Sequence, residues 1–221
     1  MGSAELEPKW RIKEWFPDFD ERTYERLRIF HLELTRWTNT INLISASSVL
    51  EADRIHFADG IAGAQLILPH IKDEHEIWDI GSGNGIPGVF FSILRPELGV
   101  MCLDSDERKA AFIKTLALRL QLNNLAARCE RFEKVQSDSI SCAVARGFAP
   151  LLKTLTVAQQ KVVVGGRFFS FKSVDYKSEM EIASPQVRST WNTELVGTYN
   201  LPPADGTKQG EMRSILRSTR I

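Results

Sequence analysis

The 221-residue sequence predicts a doubly wound α/β fold, a mostly parallel seven-stranded sheet with helices on both faces and a helical extension ahead of it. Three observations carry this expectation. From residue 76 onward, short β-rich apolar runs alternate with helical stretches. A glycine-rich turn joins the first of those runs to a helix. The tail then carries two strand-like runs separated by a turn rich in proline.

Taken in order, Tyr24, Leu27, Phe30, Leu34 and Trp37 recur at steps of three and four, which makes Glu21 to Trp37 an amphipathic helix in need of a partner surface. A second helix runs from about Ile55 to Leu68, where Pro69 ends it. Residues 1–70 are thus expected to form a helical extension packed on a core of residues 71–221. Strands are expected at Glu76 to Ile80, Gly99 to Asp104, Leu125 to Cys129, Ile140 to Ala145 and Arg167 to Lys172. The helices between them are Pro87 to Leu94, Asp106 to Leu122 and Pro150 to Val163, with Gly165-Gly166 as the tight turn into the fifth strand. Val187 to Tyr199 and Met212 to Arg217, joined through Pro202, Pro203, Asp205 and Gly206, complete the sheet as an appended antiparallel hairpin.

Composition excludes several classes. With 43% hydrophobic and 25% charged residues the chain is neither disordered nor fibrous. Glu5, Glu7, Lys9, Arg11, Lys13 and Glu14 deny the N-terminus the apolar centre of a secretory signal. The longest apolar stretch, Val89 to Leu94, is too short to cross a bilayer, so a cytoplasmic protein without a membrane anchor is expected. Cys102, Cys129 and Cys142 are odd in number, lack CxxC spacing and fall in strand-like runs, which reads as reduced core thiols. No metal-ligand spacing is present, and no metal is expected. Net charge is zero but uneven: Lys and Arg number 9 against 14 Asp and Glu in residues 1–77, and 18 against 11 in residues 105–221. A basic C-terminal half is compatible with a polyanion met by one face, and equally with a solvated surface.

The loop Asp79-Ile80-Gly81-Ser82-Gly83-Asn84-Gly85-Ile86-Pro87-Gly88 follows a strand and opens a helix, so its glycines allow a sharp turn and close approach of a nucleotide-type ligand. Gly83 to Gly88 also matches the dinucleotide pattern GxGxxG, and Asp104 lies at the right distance to hold a ribose. Charge separates the two ligands. Asp79 would repel a pyrophosphate but attract the sulfonium and amino group of S-adenosylmethionine, which is therefore favoured over a nicotinamide cofactor. Asp104 is expected on the ribose hydroxyls, its other reading being a cap of the following helix. A seven-stranded sheet with a late antiparallel hairpin is the methyltransferase form of this fold.

With these residues in hand, the chain resembles the glucose-inhibited division B (GidB/RsmG) family, bacterial class I, Rossmann-like methyltransferases that modify a guanine N7 of 16S ribosomal RNA. The matching pieces are Trp37-Thr38-Asn39-Thr40-Ile41-Asn42-Leu43, Arg54-Ile55-His56-Phe57-Ala58-Asp59, the loop Asp79 to Gly88, Leu103-Asp104-Ser105 with Arg108, Lys109 and Phe112, and Ala145-Arg146-Gly147-Phe148-Ala149-Pro150-Leu151. The resemblance implies a cofactor lying against Gly81, Gly83 and Gly85 beside Asp79, with Asp104 on the ribose and the Arg131-Phe132-Glu133 stretch at the adenine. It implies that Arg146 is presented to the active site, touching cofactor and target and acting in catalysis. The family usually reads Ser-Arg-Ala where this chain has Ala145-Arg146-Gly147, so a hydroxyl is missing there.

Guanine N7 carries a lone pair and no proton, so its methylation needs no general base, in keeping with a sequence that offers no Ser/His/Asp or paired-carboxylate cluster. Catalysis by orientation and charge placement is then expected, with Arg146 as an orienter of guanine or phosphate. Lys114, Arg119, Arg128, Lys134, Lys153 and Lys172 are candidates for phosphate contacts. His56 and Asp59, at i and i+3, either face the cofactor mouth or pair with each other. His31 reads as a satisfied packing residue, His70 and His75 as polar linker, Asn39 and Asn42 as caps or turns. The expected partner is 16S ribosomal RNA or the small ribosomal subunit, met by a monomer. The alternatives are a class I methyltransferase acting on a small molecule or protein, and a non-catalytic S-adenosylmethionine or RNA-binding module.

Overall fold

The apolar spacing from Tyr24 onward becomes a helix, α2 (Glu21–Ile41), which follows one short helical turn, α1 (Ile12–Trp15). The computed structural model describes residues 7–182 and 185–221, so Glu5 lies outside the described residues. Asp20 caps α2 by accepting the Thr23 N–H at 2.7 Å. The helix runs past Trp37 to Ile41 and ends where Asn42 adopts φ +50°, a left-handed conformation that Asn tolerates. The second expected helix comes in two parts: a π-helical segment, Asp53–Ala58, runs straight into α3 (Asp59–Ile67).

The first three strands fall where the sequence places them: β1 (Glu76–Ile80), β2 (Gly99–Asp104) and β3 (Leu125–Cys129), linked through α4 (Gly88–Leu94) and α5 (Glu107–Arg119). Then come β4 (Ile140–Arg146), α6 (Leu151–Ala158), β5 (Val162–Ser173), α7 (Tyr176–Ile182), α8 (Pro185–Arg188), β6 (Trp191–Asn200) and β7 (Met212–Arg220). The sheet order is β3-β2-β1-β4-β5-β7-β6. β1 to β5 run parallel, and β7 runs antiparallel to both neighbours. The order reverses between β1 and β4, which makes the carboxyl ends of those strands the topological switch point where open α/β sheets bind ligands.

Around β5 and β6, residues take a different element from the one expected, beyond shifts of a few residues at the ends of α2, α5 and β7. β5 begins at Val162, and the helix expected to run from Pro150 to Val163 stops at Ala158, so Gly165-Gly166 lies inside the strand rather than ahead of it. There Val162 pairs with Ile140 while Arg167 pairs with Cys142, so the chain between them bulges out of the ladder. Glycine is required at 166, where a Cβ would sit 2.8 Å from the Val163 carbonyl oxygen and 3.0 Å from that of Ser141. Likewise Val187 belongs to α8, not to a strand; it packs into the core with Trp191, where β6 starts.

Each face of the sheet buries its own apolar layer. One joins the extension to the core through Phe30, Phe57 and Phe90, whose ring centroids lie 5.0 to 5.6 Å apart. The other gathers Leu103, Phe132, Leu155, Phe168 and Trp191 under α6 and α8. Cys102 and Cys142 are buried as expected, but Cys129 is exposed, because it ends the edge strand β3. His31 packs among Trp10 and Phe57 yet is not fully satisfied: Nε2 has no hydrogen-bond partner among the described residues, and burial pushes the imidazole down to about 4. Among the described residues no helix is long and apolar enough to cross a membrane.

Candidate active site

The loop after β1 turns back over the strand ends because Gly81, Gly83 and Gly85 all hold positive φ, at +69°, +51° and +86°. At the switch point it borders a cleft of about 350 Å³ whose wall is made by Gly81, Leu103, Asp104, Ser105, Glu130, Arg131, Phe132, Glu133, Gly147 and Phe148. Asp104 braces this loop, one oxygen accepting the Gly83 N–H at 2.8 Å and the other the Asp106 N–H at 2.8 Å. Capping α5 falls instead to Asp106, which accepts from the Arg108 N–H at 2.9 Å, so Asp104 stays on the cleft wall.

Of the residues singled out from the sequence, Gly81, Asp104, Phe132 and Glu133 meet on that wall. Gly83, Gly85, Arg146 and Asp79 do not line it; Asp79 lies fully buried beneath the loop, accepting the Gly88 N–H at 2.9 Å. Its other oxygen has no partner among the described residues, and burial, with Asp104 adding to it, raises the carboxyl to about 7 against the pull of the Gly88 N–H and Arg146.

Arg146, at the end of β4, stands beside the cleft in a network that draws on three distant stretches of chain. Its Nη1 donates to Asp59 at 2.9 Å and its Nη2 to His56 Nδ1 at 3.3 Å. His56 and Asp59 therefore meet through the arginine rather than pairing with each other. Because an arginine only donates, His56 accepts at Nδ1 and carries its proton on Nε2, which faces Ser48 Oγ at 3.0 Å. Burial, then the Arg146 charge, hold this histidine down to about 3, so it is neutral at any physiological pH. The second Asp59 oxygen takes the Tyr199 hydroxyl at 2.7 Å from β6.

The basic candidates scatter. Lys114 and Lys153 sit on helices covering opposite faces of the sheet, Arg119 pairs with Glu33, and Arg128 pairs with Glu130 at 2.9 Å. Lys172 is no surface cation: its side chain is nearly buried against Glu179 at 2.7 Å. Sequence reasoning gave no role to Phe148 or Tyr199. Phe148 lay inside a matched segment, whereas nothing in a strand-like run marks one tyrosine.

Residues 23–196 match the rRNA small subunit methyltransferase G (GidB) family. The chain belongs to that family. A Bdellovibrio bacteriovorus protein described as ribosomal RNA small subunit methyltransferase G 3 is 37% identical over 193 residues, 87% of each chain. Its counterpart in Paracoccus denitrificans is 29% identical over 79% of this chain and 86% of its own. Among solved structures, the YcgJ protein of Bacillus subtilis superposes with a TM-score of 0.53 at 13% identity, covering 71% of this chain and 99% of that one. The tRNA (m1A58) methyltransferase TrmI of Aquifex aeolicus does so with 0.53 at 10%, covering 72% and 68%. Those two likenesses establish the class I methyltransferase fold.

As a member of the GidB family the protein is a methyltransferase with S-adenosylmethionine as cofactor. The residues present fit that group. The cleft falls in the range of about 300–1,000 Å³ usual for small-molecule sites. A carboxylate, Asp104, stands at its wall, and a second, Asp79, keeps an unpaired oxygen two residues from Gly81. Asp104→Ala is expected to weaken S-adenosylmethionine by about 1.5–3 kcal/mol, the range for a hydrogen bond to a charged group, as read by calorimetry. A 2′,3′-dideoxy cofactor analogue should lose nothing further on the mutation; an equal loss for both ligands would remove Asp104 from the ribose.

Through Asp79, cofactor binding is expected to depend on pH. A cationic ligand favours the carboxylate, so affinity should be full above pH 7 and fall by about tenfold per unit below it as the carboxyl takes up a proton. S-adenosylhomocysteine, without the sulfonium charge, should show a shallower fall. For the ligand-free fold the sign reverses: a raised carboxyl stabilises the native state at acid pH, and that contribution is lost as pH rises toward about 7. Calorimetric titrations between pH 5 and 8, with Asp79→Asn as control, check both slopes.

Proposed function

We propose that the protein transfers the methyl group of S-adenosylmethionine to N7 of a guanine in 16S ribosomal RNA, acting as a cytoplasmic monomer on the RNA or on the small subunit. The observation that supports this best is the family match over residues 23–196, at whose centre the cleft and Arg146 adjoin. Bound S-adenosylmethionine supplies an electrophilic methyl carbon on a positively charged sulfur. Because guanine N7 carries a lone pair and no proton, no residue of this chain would have to act as a base.

What the chain contributes is placement. Gly81, Gly83 and Gly85 let the backbone approach the cofactor, with Asp79 beneath them; Asp104 takes the ribose, and Phe132 and Glu133 flank the adenine. Arg146 remains cationic, is fixed on one side by Asp59 and His56, and has no partner for its remaining N–H groups among the described residues. Those groups reach the cofactor end and the guanine edge or its phosphate. N7 faces the deep major groove of A-form RNA, so the target is a loop or distorted nucleotide. We also read residues 1–70 as a helical extension packed on the methyltransferase core of 71–221, a reading the shared Phe30, Phe57 and Phe90 cluster supports.

A tritiated methyl assay on small subunits, their naked RNA and a protein extract tests the proposal. Label recovered as 7-methylguanine from small-subunit RNA is the expected result. Label confined to protein or small molecules would replace the substrate, and cofactor binding without any transfer would make this a binding module.

A further inference from the structure

A second cavity, of about 490 Å³, adjoins the cofactor cleft and shares Gly147 and Phe148 with it. The ends of β4 and β5 supply its base through Ala145, Ser170 and Phe171, and Lys172 and Glu179 stand at its wall. Because those two residues line both cavities, a group in the second borders the cofactor cleft. Phe132 meets the Phe148 ring edge-on at 6.2 Å and props it in that position.

The charged pair is arranged with one side open. Lys172 Nζ donates to Glu179 Oε2 at 2.7 Å, and the Leu151 N–H donates to the same oxygen at 2.7 Å. Glu179 Oε1 has no partner among the described residues, and the side chain keeps about a third of its exposure. Lys172, only 10% exposed, has the Ala149 carbonyl at 3.5 Å as its one other hydrogen-bond acceptor among the described residues. Holding an ammonium out of water is costly unless its donors are used. The cavity therefore presents an anionic acceptor and a cationic donor side by side, beneath an aromatic ring.

The geometry points to this cavity as the seat of the target guanine, stacked on Phe148, with Glu179 Oε1 accepting from N1–H and the 2-amino group and Lys172 donating to O6. The inference rests on the methyl-transfer reading above and adds the residues that select the base. Guanine matches because its donors at N1 and N2 adjoin an acceptor at O6. Adenine reverses that order, with an acceptor at N1 and a donor at N6, and would set like groups against each other. Holding guanine by this edge leaves N7 on the other side of the ring, free to turn to the cofactor cleft. An unpaired base on an aromatic platform is also the usual manner of sequence-specific RNA recognition.

Two measurements on the whole protein test this. Binding of guanosine and inosine 5′-monophosphates is compared by calorimetry in the presence of S-adenosylhomocysteine, since inosine lacks only the 2-amino group. The parent should prefer the guanosine nucleotide by about tenfold, and Glu179→Gln should abolish the preference. Single-turnover transfer to saturating small-subunit RNA should fall about tenfold or more in the same variant, with cofactor affinity unchanged. An undiminished preference, or a parental rate, in Glu179→Gln overturns the pocket. If the parent labels no RNA but its guanosine preference vanishes in the variant, the methyl-transfer reading fails and the base pocket stands. Should Glu179→Gln not fold, Lys172→Met decides the matter: about tenfold weaker guanosine nucleotide binding supports the pocket, and parental affinity overturns it.

Discussion

Gly81→Val is expected to cut S-adenosylmethionine affinity by about a hundredfold or more while leaving the sheet folded. Two penalties combine. At φ +69° a β-branched residue sits in a conformation that costs about 1–3 kcal/mol. Its Cβ would also lie 2.5 Å from the Phe148 ring, which must then move into one of the two cavities it lines. Gly83 differs, since a Cβ there meets nothing closer than 3.7 Å. Gly83→Ala should thus cost only the left-handed backbone term, about 1–2 kcal/mol, with no obstruction. Calorimetry and circular dichroism on both variants check the pair. Near-parental affinity in Gly81→Val would remove this loop from the cofactor site.

Arg146→Ala is expected to slow single-turnover methyl transfer by about 10²–10³, the usual effect of removing one well-placed charged donor, far more than it weakens cofactor binding. Lysine should rescue poorly, because one point charge cannot serve Asp59, His56 and a substrate edge together. Stability should fall as well, by about 2–3 kcal/mol, because Asp59, a largely buried charge, keeps only the Tyr199 hydroxyl and the more distant Arg213 at 3.9 Å among the described residues. Tyr199→Phe separates the two effects: it removes one hydrogen bond from Asp59 and leaves the arginine, so it should lower the melting temperature with most of the rate retained. An Arg146→Ala enzyme with the parental rate on saturating RNA would make this arginine structural.

Local chemistry explains which parts were legible beforehand. β1, β2 and β3 appear at the expected residues because each is a short apolar run bounded by turn formers, and the glycine loop is visible because only glycine serves there. Gly165-Gly166 misled because the same pair that makes a tight turn also makes a bulge, and only the pairing of Arg167 with Cys142 distinguishes them. Exposure of Cys129 depends on β3 being the edge, a property of strand order rather than of its own sequence. In the site, Asp104 was legible from spacing. The clamp on Arg146 was not, since His56, Asp59 and Tyr199 converge only after the hairpin has packed on α3. Lys172 looked like any exposed cation until Glu179, on α7, was seen to close over it.

The strand order has a further consequence for how the molecule comes into being. β7 is translated after β6 yet lies between β6 and β5, bonded to both. A growing chain that has released β6 still presents an unpaired edge on β5, and β6 has no place in the sheet to dock. Tyr199 is borne on β6, so the support it gives Asp59 and Arg146 arrives only when the final strand slides into the gap. Chains interrupted before Met212 should accordingly be aggregation-prone, with β5 left as an open edge.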